Sequence, residues 1–196
     1  NLKVAKDLYN KILEINPDHQ DANNNLGVIF QKLQQSKRAI KYFQKVIQIN
    51  PNHSDSYYNL GKIFNELNEY EKAINYYKKT IQINPNQADV HNNLGVLFRN
   101  LGEHQKAISC YEQAIRIDPN YVNAYNNLGT ILGELNKVDE AKKNFEKSLN
   151  LDPNKKETYE GYGNILFKLN HHHEALGYIR KSTGFIRFTE KNFKII

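Results

Sequence analysis

The residues best placed to do chemistry are carboxamides set at a constant interval. Asn25, Asn59, Asn93 and Asn127 stand 34 residues apart, and Asn24, Tyr58, Asn92 and Asn126 immediately precede them. A carboxamide offers an acceptor oxygen and N–H donors together, so it can bond both the C=O and the N–H of a peptide without reading that peptide's side chains. A row of such groups is suited to holding an extended backbone. Sequence preference then falls to the neighbours: Val28, Lys62, Val96 and Thr130, followed by Gln31, Asn65 and Arg99. The set is mixed and nearly neutral, which predicts no strong charge preference. Lys62 and Arg99 are its cations and complete the candidate contact residues.

Other chemistry has less support. His171, His172 and His173 offer imidazoles, but adjacent side chains on one turn diverge and no fourth ligand accompanies them, so no metal site is expected. Cys110, beside Tyr111, reads as a small packed hydrophobe. Asn52-His53-Ser54 fits a glycosylation sequon that an asparagine-rich chain produces by chance. No glycine-rich phosphate loop, nucleophile–base pair or pair of carboxylates stands out, so neither catalytic residues nor a cofactor are expected.

The elements that position the asparagines announce themselves by the same interval. Pro17, Pro51, Pro85, Pro119 and Pro153 are 34 residues apart, as are Gly27, Gly61, Gly95, Gly129 and Gly163, and the six alanines from Ala5 to Ala175. One supersecondary unit has been copied along the chain, which predicts a solenoid held by neighbour-to-neighbour cores. In the unit 88–121, apolar residues recur at helical spacing in both halves: Leu94, Leu97, Phe98 and Leu101, then Ala107, Ile108, Tyr111, Ala114, Ile115 and Ile117. This predicts helix A over 88–100, a turn at 101–103 and helix B over 104–117, packed antiparallel. Gly95 is expected to admit a neighbouring backbone. Asn16, Asn50, Asn84, Asp118 and Asp152 precede the prolines and mark the helix B stops. Asp21, Asp55 and Asp89 suit the start of helix A, where a carboxylate faces free N–H groups and the dipole.

The predicted organisation is an N-terminal half-repeat at 1–19 with helix B alone at about 2–15, full units at 20–53, 54–87, 88–121 and 122–155, a diverged unit at 156–183, and an apolar segment at 184–196 that caps or links. The fold class is all-α, a solenoid of antiparallel helix pairs. Leu8, Ile12 and Ile15 are expected to be partly bare on the half-repeat, which makes the terminal repeats candidates for self-association. The chain opens mid-repeat and contains no methionine, which reads as a piece of something longer. The tail from Phe185 onward is expected to fold back over the last unit.

A net charge of +6 raises the question of an acidic partner. The lysines concentrate on helix B (Lys37, Lys41, Lys45, Lys72, Lys78, Lys79, Lys106, Lys142, Lys143 and Lys147), where a solenoid needs a solvated wall, so nucleic acid is not the expected partner. No apolar run of about 18 residues is present, and no membrane association is expected. A single cysteine fits a reducing, cytoplasmic setting.

The residues Leu94-Gly95, Phe98, Ala107, Tyr111, Ala114 and Pro119 give the unit its resemblance to the tetratricopeptide repeat. The slot near the start of helix A that usually holds tryptophan in that family carries Asn23, Tyr57, His91, Tyr125 and Tyr159. The resemblance implies a right-handed superhelix with A helices on the concave face, B helices on the convex one, and a protein or peptide as partner. The asparagine register resembles the repeat arm of O-linked N-acetylglucosamine transferases, which implies a grip on peptide backbone at Asn25, Asn59, Asn93 and Asn127 and a gap at Gly161. The carboxylate clamp of the chaperone-binding members has no counterpart, since its slots carry Asn24, Tyr58, Asn92, Asp89 and Asn93. The leading expectation is a non-catalytic module that binds an extended peptide in the concave groove. The alternatives are a substrate-recruiting arm of a larger enzyme, such as a glycosyltransferase, and a self-assembling scaffold.

Overall fold

The computed structural model describes residues 2–183, 186–188 and 193–195. Eleven helices account for nearly all of them: α1 (Leu2–Ile15), α2 (Gln20–Lys32), α3 (Ser36–Ile49), α4 (Ser54–Glu66), α5 (Tyr70–Ile83), α6 (Ala88–Asn100), α7 (His104–Ile117), α8 (Val122–Glu134), α9 (Val138–Leu151), α10 (Lys156–Lys168) and α11 (His172–Thr183). The all-α expectation holds for residues 2–183. Two short strands follow, β1 (Ile186–Phe188) and β2 (Phe193–Ile195), paired antiparallel with Arg187 opposite Lys194. The expected fold-back of the 184–196 segment otherwise lies outside the described residues.

The chain forms two compact units, residues 1–90 and 91–196. In the first, α2 packs on α3 and α4 on α5, with α1 against α2 and α3 against α4. In the second, α8 packs on α9 and α10 on α11, with α7 against α8, α9 against α10 and α8 directly against α10. Each core lies between helices of a pair and their neighbours. It is filled by Leu26, Ala39, Phe43, Leu60, Ile63, Ala73 and Tyr77 in the first unit, and by Leu97, Ala107, Tyr111, Ile131, Ala141, Phe145 and Leu166 in the second.

The repeated glycine has a different partner from the one its spacing suggests. A Cβ at Gly61 would lie 2.5 Å from the Tyr77 ring, and one at Gly95 would lie 2.6 Å from that of Tyr111. The glycine of helix A thus makes room for the aromatic of its own helix B, not for a neighbouring backbone. Leu101 also departs from its expected place in the core: it caps α6 and is 43% exposed, as Leu33, Leu67 and Leu135 are at the matching turns.

All five turns from helix A to helix B close in one way. Gln34, Asn68, Gly102, Asn136 and Asn170 adopt φ values from 56° to 74°. In the first, the Gln35 N–H reaches back to the Phe30 carbonyl and the Gln34 N–H to that of Gln31, both at 2.9 Å. This left-handed closure satisfies carbonyls that the helix end leaves open. At the other turns, Asn50, Asp118 and Asp152 are extended caps of helix B, and each side-chain oxygen accepts the N–H two residues on. That local bond is why Asn or Asp stands before the proline.

Candidate functional site

In the first unit, α2 carries Asn24 and Asn25 and α4 carries Tyr58, Asn59 and Lys62. Both Asn25 and Asn59 are half-buried, and neither has a hydrogen-bond partner among the described residues. Each amide therefore keeps its hydrogen-bonding capacity for water or a ligand. Asn24 is engaged, since the Ser56 hydroxyl donates to its Oδ1 at 3.4 Å. Lys62 holds its ammonium 5.6 Å from the Tyr58 ring, one turn back on the same helix, and the aromatic face favours the cation there.

The second unit treats the same register differently. Asn127 Nδ2 donates to Asn92 Oδ1 at 2.9 Å, tying α8 to α6. Asn92 is only 5% exposed. It therefore departs from the expectation of an open groove residue, because its carbonyl is spent between repeats. The Asn126 Oδ1 is buried with no partner among the described residues, and Asn93 is half-buried and engaged.

Arg99 is held by Glu134, its Nε donating to Oε2 at 3.1 Å and its Nη2 to Oε1 at 2.5 Å. That side-chain hydrogen bond raises the pKa of the guanidinium, outweighing partial burial, so Arg99 stays charged. Together the pair forms one wall of a cleft of about 470 Å³, completed by Thr130 and Gly133 of α8 and by Gly161, Asn164, Ile165 and Lys168 of α10. The roles of Glu134, Asn164 and Lys168 were not anticipated from the sequence. The available signal was offset: Glu134 stands one repeat and one residue beyond Arg99, with opposite charge.

The slot that usually carries tryptophan has a local purpose here. Tyr125 and Tyr159 donate their hydroxyls to the carbonyls of Pro119 and Pro153, and Asn23 Nδ2 donates to that of Pro17 at 3.0 Å. Different side chains thus tie helix A to the preceding turn through the same acceptor. Helix starts also hold a surprise: His19 Nδ1 accepts from the Ala22 N–H and His53 Nδ1 from the Ser56 N–H. These histidines, two residues after proline, cap α2 and α4, while Asp21 and Asp55 stand in the first turns of those helices as expected.

Several helix B lysines are paired or packed. Lys45 meets Asp18 at 2.6 Å, Lys72 meets Glu69 at 2.5 Å and Lys106 meets Glu103, while Lys72 and Lys106 also lie over Phe64 and Phe98. His171 Nδ1 is 3.7 Å from Glu174, and no group of three potential metal ligands forms among the described residues. No helix among them is long and apolar enough to cross a membrane.

Family models for the tetratricopeptide repeat match residues 21–53 and 88–121, 42–75 and 110–143, and 61–102, so together they run without a break from 21 to 143. None of the curated proteins compared matches the chain. Among solved structures, PilF of Pseudomonas aeruginosa is similar at 24% identity and a TM-score of 0.76, over 84% of this chain and 75% of that one. MamA is similar at 24% identity and 0.73, over 84% and 90%. YrrB, described as a TPR protein with an unusual peptide-binding site, is similar at 19% and 0.72, over 90% and 91%. These likenesses are to the fold. With the 34-residue interval, the paired helices and the matched repeats in agreement, this chain belongs to the tetratricopeptide-repeat family.

Proposed function

We propose that the chain is a non-catalytic protein-interaction module that holds an extended peptide along the asparagines of its A helices. The observation that carries this reading is the state of Asn25 and Asn59: same register, consecutive A helices, half-buried, and without a partner among the described residues. Adjacent helices lie about 8–10 Å apart and an extended strand advances about 3.3 Å per residue, so consecutive asparagines meet a strand roughly every third residue. A neutral hydrogen bond contributes a net ~0.5–1.5 kcal/mol and ordering the peptide offsets several kcal/mol. Affinity for an isolated segment is therefore micromolar or weaker.

The test is Asn25→Ala with Asn59→Ala, measured by fluorescence polarisation against peptides selected on an array. Binding falls more than tenfold, since about four hydrogen bonds are removed, while the melting temperature stays put because neither amide supports the fold. Undiminished binding overturns the proposal.

A second reading rests on α1. Leu8 is 57% and Ile15 87% exposed, with Leu2 and Val4 also bare, so this helix presents an apolar face. Self-association through it predicts light scattering that grows with concentration and is abolished by Leu8→Glu. A monomer at all concentrations removes this reading.

A further inference from the structure

Two adjoining cavities of the first unit, about 460 and 270 Å³, share Lys41 and Tyr42 and so form one groove between α1 and α3. Its charge does not cancel. Lys6 of α1 and Arg38 and Lys41 of α3 line it, and none of these three is paired with a carboxylate among the described residues. Lys45 is the groove cation that is neutralised, by Asp18. Lys6 is a local departure from the repeat: its register carries Ile40, Ile74 and Ile108 in the next three B helices, and the last two of these are buried. Lys6 is half-buried, so an ammonium stands here where sister repeats bury an aliphatic chain. A cation partly withdrawn from water and without a counter-charge favours an anion beside it.

The groove also has features that a plain basic surface lacks. Tyr42 is half-buried and stacks on Phe30 with ring centroids 5.4 Å apart, and Leu13 lines the same space from α1. Asn23 of α2 lines the larger cavity and is only 3% exposed. Its Nδ2 donates to the carbonyls of Pro17 and His19, both at 3.0 Å, while its Oδ1 accepts no hydrogen bond among the described residues. A lone acceptor in a basic groove calls for an N–H donor, which a peptide backbone supplies and a phosphate does not. We propose that this groove binds an acidic peptide segment: carboxylates meet Lys6, Arg38 and Lys41, an apolar side chain lies against Leu13 and Tyr42, and a backbone N–H bonds Asn23 Oδ1. Every contact comes from α1, α2 and α3, so the inference stands apart from the row of A-helix asparagines.

The experiment is fluorescence polarisation on the full chain with short end-capped peptides in a serine background, each carrying one leucine flanked by three glutamates or by three glutamines. The glutamate peptide binds about five- to tenfold tighter, as two or three solvent-accessible ion pairs allow, and high salt removes the difference. Lys6→Glu with Lys41→Glu turns the preference towards the lysine counterpart of the same peptide. Lys41 is exposed, so Lys41→Glu alone keeps the melting temperature and still cuts the preference by about threefold. Asn25→Ala with Asn59→Ala leaves it unchanged, because neither amide lines the groove. Equal affinity for the two peptides overturns the proposal, as does a preference that survives both lysine reversals. A preference lost in the asparagine variant instead assigns the carboxylates to the A helices and refutes this groove. The last arm is a single-stranded oligothymidylate: binding as tight as that of the glutamate peptide, and lost with the same lysines, identifies a general polyanion site and refutes the peptide assignment.

Discussion

Beneath the glycine of helix A the first four repeats use either of two aromatics, Phe43 and Phe145 or Tyr77 and Tyr111, and the fifth sets Gly163 against Ile179. The choice matters at Tyr111, whose hydroxyl is fully buried with no hydrogen-bond partner among the described residues. An unpaired buried hydroxyl costs about 1–3 kcal/mol, and phenylalanine already fills this slot in two sister repeats. Tyr111→Phe is therefore expected to raise the melting temperature by several degrees, corresponding to about 1 kcal/mol or more. A thermal melt decides it, and a lower midpoint would show that the hydroxyl is satisfied. The sequence displayed the alternation, but it did not show which hydroxyl lacks a partner, because that depends on what the neighbouring helix brings within reach.

At the scale of the elements, the five left-handed turns invite a direct comparison. Gly102 has no Cβ and open space around it, yet its φ is 74°; Gln34 holds φ of 56° with a full side chain. Gln34→Gly relieves that conformation and Gly102→Ala imposes it, so the two changes should move the denaturant midpoint in opposite directions, each by about 1 kcal/mol. Shifts of the same sign would contradict the backbone explanation. Much at this scale was legible beforehand. Periodicity and the proline interval placed α6 at 88–100 and α7 at 104–117, because every repeat restates the same local preferences. What escaped were features set by contact with another element: the Gly95–Tyr111 fit, the histidine caps, and the bond from Asn127 to Asn92. For the candidate site, the register of the asparagines was visible in the spacing. Their division into unpaired (Asn25, Asn59) and spent (Asn92) side chains was not, since it turns on distances across repeats.

For the molecule as a whole, the buried phenols set an alkaline limit. Burial, chiefly, pushes the pKa values of Tyr77 and Tyr111 well above the ordinary tyrosine value, and at Tyr162 burial is joined by a hydrogen bond donated to Glu146. The unfolded chain releases these protons near pH 10, whereas the folded one retains them to higher pH. Between those values the folded state binds more protons, so the stability they contribute is intact below about pH 10 and is lost as pH climbs beyond it. Urea midpoints should be level from pH 7 to 9 and decline above about pH 10, with a gentler decline in Tyr111→Phe. A midpoint unchanged at pH 11 would contradict this.

The side-chain bond from Asn127 to Asn92 gives the two units unequal terms of engagement. At Asn25 and Asn59 an arriving strand adds hydrogen bonds to amides without a partner among the described residues, whereas at Asn127 one N–H is already committed to Asn92, which leaves only its second N–H and its oxygen for a ligand. Taken each by itself, the first unit therefore offers a short ligand more uncommitted amide valences than the second does.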